Sequence, residues 1–178
     1  QVCKSNHWKV HQTIGVTCPE TANGQVLEVL NAGIDSIGLC ICKDDFSAED
    51  LDTLLKDVCL TAVEVTFCGK AAASVAELML AKLETMNVEA EQVRINFVID
   101  PVIEKLSMQG AFSCCEDGSE CFEKIAGLVA KAAAYKHVRM AGVSGHEFHN
   151  SGSTIVQELA FTLAAGHEYL CLLYTSPS

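Results

Sequence analysis

The sequence predicts an α/β fold: a partial (β/α)8 TIM barrel of about five parallel strands with alternating helices. Three observations predict it. Apolar runs of strand length begin near residues 10, 36, 61, 93 and 138. Amphipathic helix patterns fill the intervals, and such alternation implies a parallel sheet with right-handed crossovers. The turn after the first strand, Val16-Thr17-Cys18-Pro19, contains no glycine, so the phosphate loop usual in a doubly wound sheet is missing. A complete barrel needs eight strands and about 200–250 residues. The chain has 178 and lacks a starting Met, so it reads as a barrel cut at both ends.

Val10 to Val16 (VHQTIGV) reads as a half-buried strand. Pro19 opens a helix with Ala22, Val26, Val29 and Leu30 on one face and Gly33 as its stop. Ser36 to Cys42 is a continuous apolar run of strand length. Ser47, with Asp50 three residues on, has the spacing of an N-cap before a helix through Leu54, Leu55 and Val58. Thr61 to Phe67 (TAVEVTF) alternates and is β-branched, a strand signal. Ala71 to Thr85 is rich in Ala, Leu and Met, strong helix formers. Val93 to Ile99 is the next strand, followed by Asp100-Pro101, a short helix to about Met108 and a loop from Gly110 to Gly118. Ser119 caps a helix to Tyr135. The last unit is an apolar strand from Val138 to Val143, a polar turn from Ser144 to Gly152, and a helix from Ser153 to Ala165 stopped by Gly166.

Composition narrows the function. Twelve basic against 23 acidic residues give a net charge of −11. No basic helix face stands out, which disfavours nucleic-acid and anionic-membrane partners. Charges interrupt the apolar runs before the roughly 18 residues a membrane span needs. The N-terminus has no apolar signal-peptide core, so a cytoplasmic location is expected. Of the ten cysteines, Cys40, Cys42, Cys59 and Cys68 sit in or beside apolar runs, where a thiol acts as a small hydrophobe. Reduced thiols are expected over a disulfide framework. No Cys-x-x-Cys pair exists, and Cys114-Cys115 with Cys121 reads as a surface loop.

In α/β proteins chemistry gathers at the carboxyl ends of strands, which directs attention to the turn after Val143. His146-Glu147-Phe148-His149 is not H-E-x-x-H, because the second histidine comes one residue early. Metal sites need three or four convergent ligands, and no metal is expected. Glu147-x-His149-x-x-Gly152 mimics the Asp-x-His-x-x-Gly loop of some cobalamin-binding domains, but its first residue is Glu and no later Gly-Gly follows. His146, Glu147, His149 and Asn150 therefore remain either pocket-lining polar groups or caps facing solvent. Asp100, at another strand end, is a pocket carboxylate or the residue that starts the turn before Pro101. Gln157 and Glu158 read as helix-terminal electrostatics or interface contacts.

The run from Ser144 to Leu170, containing NSGSTIVQELAFTLAAG, closely resembles the acyl-CoA mutase barrel of the methylmalonyl-CoA mutase family. Ile95 to Gly110 (INFVIDPVIEKLSMQG) and Asn31 to Gly38 (NAGIDSIG) resemble earlier units of the same barrel. The resemblance implies a (β/α)8 barrel that threads the CoA arm along its axis. It also implies a separate adenosylcobalamin domain and a radical rearrangement between methylmalonyl-CoA and succinyl-CoA. Bacterial members are often heterodimers of a catalytic chain and a smaller homologue that has lost the cofactor and catalytic residues.

Residue by residue, the chain resembles the smaller subunit. Catalytic chains read Ser-Gly-Tyr-His-Met-Gln-Glu-Ala-Gly at this turn, and their histidine contacts the thioester carbonyl. Here Ser144 and Gly145 match, His146 stands at the Tyr position and Glu147 at the His position. An ionised carboxylate cannot donate the hydrogen bond an imidazole gives a carbonyl oxygen. Catalytic chains also carry a Gln before the aspartate and an Arg about eight residues after it; Val98 and Met108 stand there. A one-residue shift of register would instead bring His146 to the histidine's place, which leaves a divergent catalytic chain as the alternative.

The resemblance thus implies a non-catalytic chain with no catalytic, cofactor-binding or metal residue of its own. Its pocket is degenerate, at Asp100, His146, Glu147, His149 and Asn150. Its partner is a catalytic mutase subunit that holds adenosylcobalamin, and acyl-CoA is a further candidate ligand. Residues 1–170 are expected to be the partial barrel domain. Residues 171–178 (CLLYTSPS) resemble a translated sequencing adapter and are expected to be foreign. The isolated fragment, with open sheet edges, is expected to aggregate.

Overall fold

The computed structural model describes residues 8–100, except 44, 70 and 87, and residues 119–175; side chains are described for 123–171 of the second stretch. Five strands, β1 (His11–Val16), β2 (Ser36–Ile41), β3 (Glu64–Cys68), β4 (Ile95–Phe97) and β5 (Val138–Arg139), form one sheet. All neighbours are parallel, in the order β1-β2-β3-β4-β5. Sequential order without a reversal lacks the switch point of a doubly wound sheet. The sheet is open, with β1 and β5 at its edges.

Among the described residues six helices accompany the strands: α1 (Pro19–Asn31), α2 (Ala48–Leu54), α3 (Ala72–Met86), α4 (Ser119–Ala132), α5 (Gly145–Asn150) and α6 (Ile155–Thr175). α1 packs on α2, α2 on α3, α3 on α4 and α4 on α6, a single helical layer against one sheet face. The expected capping box is present in α2. Ser47 Oγ accepts from the Asp50 N–H at 3.1 Å, and the Asp50 carboxylate accepts from the Ser47 N–H at 3.0 Å. This satisfies two of the donors a helix start leaves over.

Strand alternation sorts the two faces of the sheet. Ile14, Val16, Ile37, Leu39, Ile41, Val65, Phe67, Ile95 and Phe97 are buried. They meet Ala22, Val26, Leu51, Leu54, Val75, Met79 and Leu83 from the helices in one core. Phe67 and Phe97 stack at 5.3 Å between ring centroids, in the range where aromatic pairs add to burial. The opposite face is polar or small. Strand register places Thr13, Gly38, Thr66, Asn96 and Arg139 in one row across all five strands, with Gly15, Cys40 and Cys68 in the next.

Several boundaries move. β3 starts at Glu64 rather than Thr61, because residues 60–63 turn. β4 and β5 are shorter than their apolar runs. The turn from Ser144 to Gly152 contains the helix α5: Phe148 anchors it by a tilted ring contact with Phe161 at 5.5 Å, and Gly152, at φ 94°, ends it. Gly166 does not stop α6, which continues through Cys171 to Thr175, so the segment expected to be foreign extends this helix. A Cβ at Gly166 would meet Val143 Cγ2 at 3.8 Å, an ordinary contact, and a single glycine's helix cost of about 1 kcal/mol does not end α6. No helix among the described residues is long and apolar enough to cross a membrane. The expected short helix from Pro101 to Met108, the loop from Gly110 to Gly118 and Cys114-Cys115 lie outside the described residues, as does the Cys121 side chain.

Candidate functional site

The carboxyl ends of β4 and β5 bring Asp100 and α5 together. Asp100 is buried, with 5% of its surface exposed. Its Oδ2 accepts from the Ser144 backbone N–H at 2.7 Å and its Oδ1 from the Tyr169 hydroxyl. The carboxylate therefore ties the end of β4 to the entrance of α5 and to the middle of α6. Hydrogen bonding answers the cost of burying a carboxylate, and this group acts as a clamp.

The four candidates on α5 lie elsewhere. His146 is exposed; its Nδ1 meets Ser144 Oγ at 3.1 Å and its Nε2 the Glu147 carboxylate at 3.0 Å. His149 Nδ1 meets Glu158 Oε2 at 2.9 Å in an exposed bridge between α5 and α6. Asn150 is exposed at the last position of α5. Buried between these polar groups is Phe148. Helical spacing thus points the two histidines into separate pairs, His146 with Glu147 and His149 with Glu158. Asp100 reaches α5 through the Ser144 backbone N–H. Such exposed pairs contribute up to about 1 kcal/mol each.

No group of three or more His, Cys, Asp or Glu among the described residues is arranged to hold a metal ion. His149, at the position resembling a cobalt-facing histidine, has its Nδ1 on Glu158 in the exposed α5–α6 bridge.

Composition and motif spacing did not single out the polar sheet face. At the amino ends of the strands, Lys9, Glu64, Arg94, Asn96, His137 and Arg139 line a cleft of about 260 Å³. Lys9 Nζ donates to Glu64 Oε2 at 2.6 Å, Asn96 Nδ2 to Glu64 Oε1 at 2.9 Å, and Arg139 Nη1 to Asn96 Oδ1 at 3.3 Å. The Lys9 hydrogen bond, joined by that of Asn96 and the charges of Lys9 and Arg139, holds the Glu64 carboxyl below its ordinary 4.5. The sequence signal was the alternation in EVTF and INF, which puts Glu64, Thr66 and Asn96 on one face.

Thiols line the opposite end of that face. Cys40 and Cys68 are register neighbours. Burial, then the neighbouring Cys40, pushes the Cys68 thiol up to about 12. Burial also raises the Cys42 thiol. Thiols held protonated are poor nucleophiles; Cys40 and Cys68 are half-buried, whereas Cys42 and Cys59 are exposed, so the expected space-filling role does not extend to those two.

Residues 45–176 match the profile of the family described as methylmalonyl-CoA mutase. The chain is 29% identical to the methylmalonyl-CoA mutase small subunit of Porphyromonas gingivalis (strain ATCC BAA-308 / W83), over 93% of this chain and 26% of that protein. It is also 29% identical to the methylmalonyl-CoA mutase small subunit of Propionibacterium freudenreichii subsp. shermanii, over 82% of this chain and 22% of that protein. It is 28% identical to the protein of the same description from Streptomyces virginiae, over 94% of this chain and 26% of that protein. The chain spans about a quarter of the length of these curated relatives.

Proposed function

Because the chain belongs to the methylmalonyl-CoA mutase family, we propose that it is part of a small, non-catalytic subunit that supports a catalytic mutase chain. The observation that carries this reading is Glu147. It stands at the position of the catalytic histidine and is paired with His146 on an exposed helix. An ionised carboxylate there repels a thioester oxygen that gains negative charge, where an imidazole N–H would stabilise it. Asp100, the other strand-end carboxylate, is occupied by Ser144 and Tyr169. The residues at these strand ends thus serve packing.

On this reading adenosylcobalamin, which supplies the radical in the holoenzyme, resides on the partner chain. The open sheet is an arc of a (β/α)8 barrel, supported by its sequential strand order, single helical layer and small, polar uncovered face. The chain works in the cytoplasm as half of a heterodimer with the catalytic subunit. Relatives named small subunits support that partnership.

Co-expression of the full-length protein with its proposed partner, followed by size-exclusion chromatography with mass determination, tests this. A one-to-one complex that retains cobalamin, beside a separately purified chain that retains none, is the expected result. Cobalamin retained by this chain alone, or no complex, would reject the reading. Cobalamin held alone would favour the divergent catalytic chain.

A further inference from the structure

We propose that Cys40 and Cys68, at the carboxyl ends of β2 and β3, are a redox-active dithiol that closes into a reversible disulfide. The two are register neighbours on adjacent parallel strands. Such neighbours lie about 4.8 Å apart, inside the roughly 4.4–6.8 Å between Cα atoms that a disulfide spans. Both are half-buried and carry free thiols. The Cys40 thiol hydrogen-bonds with Cys68 and with Cys42. Cys68 Sγ also donates to the Leu39 carbonyl at 3.6 Å, which leans it over β2. Gly15 is the register neighbour of Cys40 on β1, and nothing lies within 4 Å of where a Cβ of Gly15 would stand. A small oxidant therefore has room beside Cys40. Cys42 lies two residues further along the chain, about 6.6 Å away in extended backbone. That is the far limit of the disulfide range, which favours Cys68 as the partner.

The oxidant is a low-molecular-weight disulfide, R–S–S–R, of the glutathione class. The Cys40 thiolate attacks one of its sulfurs; that S–S bond breaks, one R–SH leaves and a mixed disulfide remains on Cys40. The Cys68 thiolate then attacks the Cys40 sulfur and expels the second R–SH. Two protein thiols are oxidised by two electrons, the small disulfide is reduced to two thiols, and the two protons lost by the protein end on them. Burial pushes the Cys68 thiol up to about 12, so little thiolate is present to close the bridge. As a leaving group of high pKa, Cys68 also makes reopening slow. Uncatalysed exchange takes minutes to hours, which makes this a slow latch between β2 and β3 rather than a catalytic centre. The latch lies directly before Gly69, whose backbone packs against Ile41 of β2. Closing it adds a covalent join where the two strand ends already meet.

Equilibration of the folded full-length protein in glutathione buffers of stepped oxidised-to-reduced ratio tests this. Acid quenching, alkylation and tandem mass spectrometry then map the bridges, with fragmentation between Cys40 and Cys42 and between Cys59 and Cys68. A cross-link joining Cys40 to Cys68 is expected, growing with the oxidised fraction and lost on addition of dithiothreitol. Cys42→Ser should leave the bridge in place. Cys68→Ser should abolish it and leave glutathione on Cys40. The map of the parent protein needs no variant, so a variant that fails to fold leaves the test standing. No bridge in any buffer, a bridge that forms only in urea, or a main product that pairs Cys40 with Cys42 or Cys68 with Cys59 would overturn the inference. Failure here would leave the family reading intact, because complex formation and cobalamin retention do not depend on these thiols.

Discussion

Removing the Tyr169 hydroxyl should loosen the junction between β4, α5 and α6. Tyr169 is 5% exposed and donates to Asp100 Oδ1, while Ser144 N–H donates to Oδ2 at 2.7 Å. Tyr169→Phe keeps the ring, so no cavity opens and the hydrogen bond to Asp100 is lost. A bond to a carboxylate contributes about 1.5–3 kcal/mol. Asp100→Ala removes the acceptor and leaves two donors seeking partners, each costing about 1–3 kcal/mol. Both residues make further interactions, so a double-mutant cycle isolates this bond better than either variant. Urea unfolding of the full-length protein, its Tyr169→Phe and Asp100→Ala variants and the double variant, followed by circular dichroism, supplies the cycle. The expected coupling is about 1.5–3 kcal/mol. Coupling below about 0.5 kcal/mol, within the usual additivity error, would refute the clamp and return Asp100 to the pocket candidates.

Three further outcomes follow from local geometry. Gly69 has φ 99°, and an added Cβ would lie 2.4 Å from the Ile41 carbonyl oxygen. Gly69→Ala should cost at least roughly 1–3 kcal/mol and lower soluble yield, and an unchanged urea midpoint would contradict this. The Glu64 carboxyl is held below 4.5 by Lys9, so its stabilisation is complete above that value and is lost as pH falls through the lower folded-state value. Melting temperature should therefore drop on acidification below about pH 4.5, less steeply in Glu64→Gln; parallel curves would exclude a Glu64 contribution. Hydrogen bonds from Thr61, then from the backbone at Ala62 and Thr61, lower the Cys59 thiol, while burial raises Cys68 to about 12. Iodoacetamide followed by peptide mass spectrometry should label Cys59 well before Cys68; the reverse order would contradict the assignment.

Where local signals agreed with packing, the fold was legible. Ser47 and Asp50 announced the start of α2, and Pro19 that of α1, because capping and the proline φ act within a few residues. α5 was missed because its helical state depends on Phe148 meeting Phe161 and on Gly145 fitting against Thr162, contacts made with another element. Gly166 misled because one glycine costs a helix only about 1 kcal/mol, and α6 runs through it. At the site, the clamp at Asp100 required knowing where Tyr169 lies. The cleft escaped because its members come from residues 9, 64, 94, 96, 137 and 139, spread across four strands that only sheet register brings together.

Turnover is the most direct test of the claim that Glu147 marks a lost active site. The full-length protein, purified without its proposed partner and supplied with adenosylcobalamin and methylmalonyl-CoA, should form no succinyl-CoA. The same preparation combined with the catalytic chain should form it. Isomerisation by this chain alone would contradict the account.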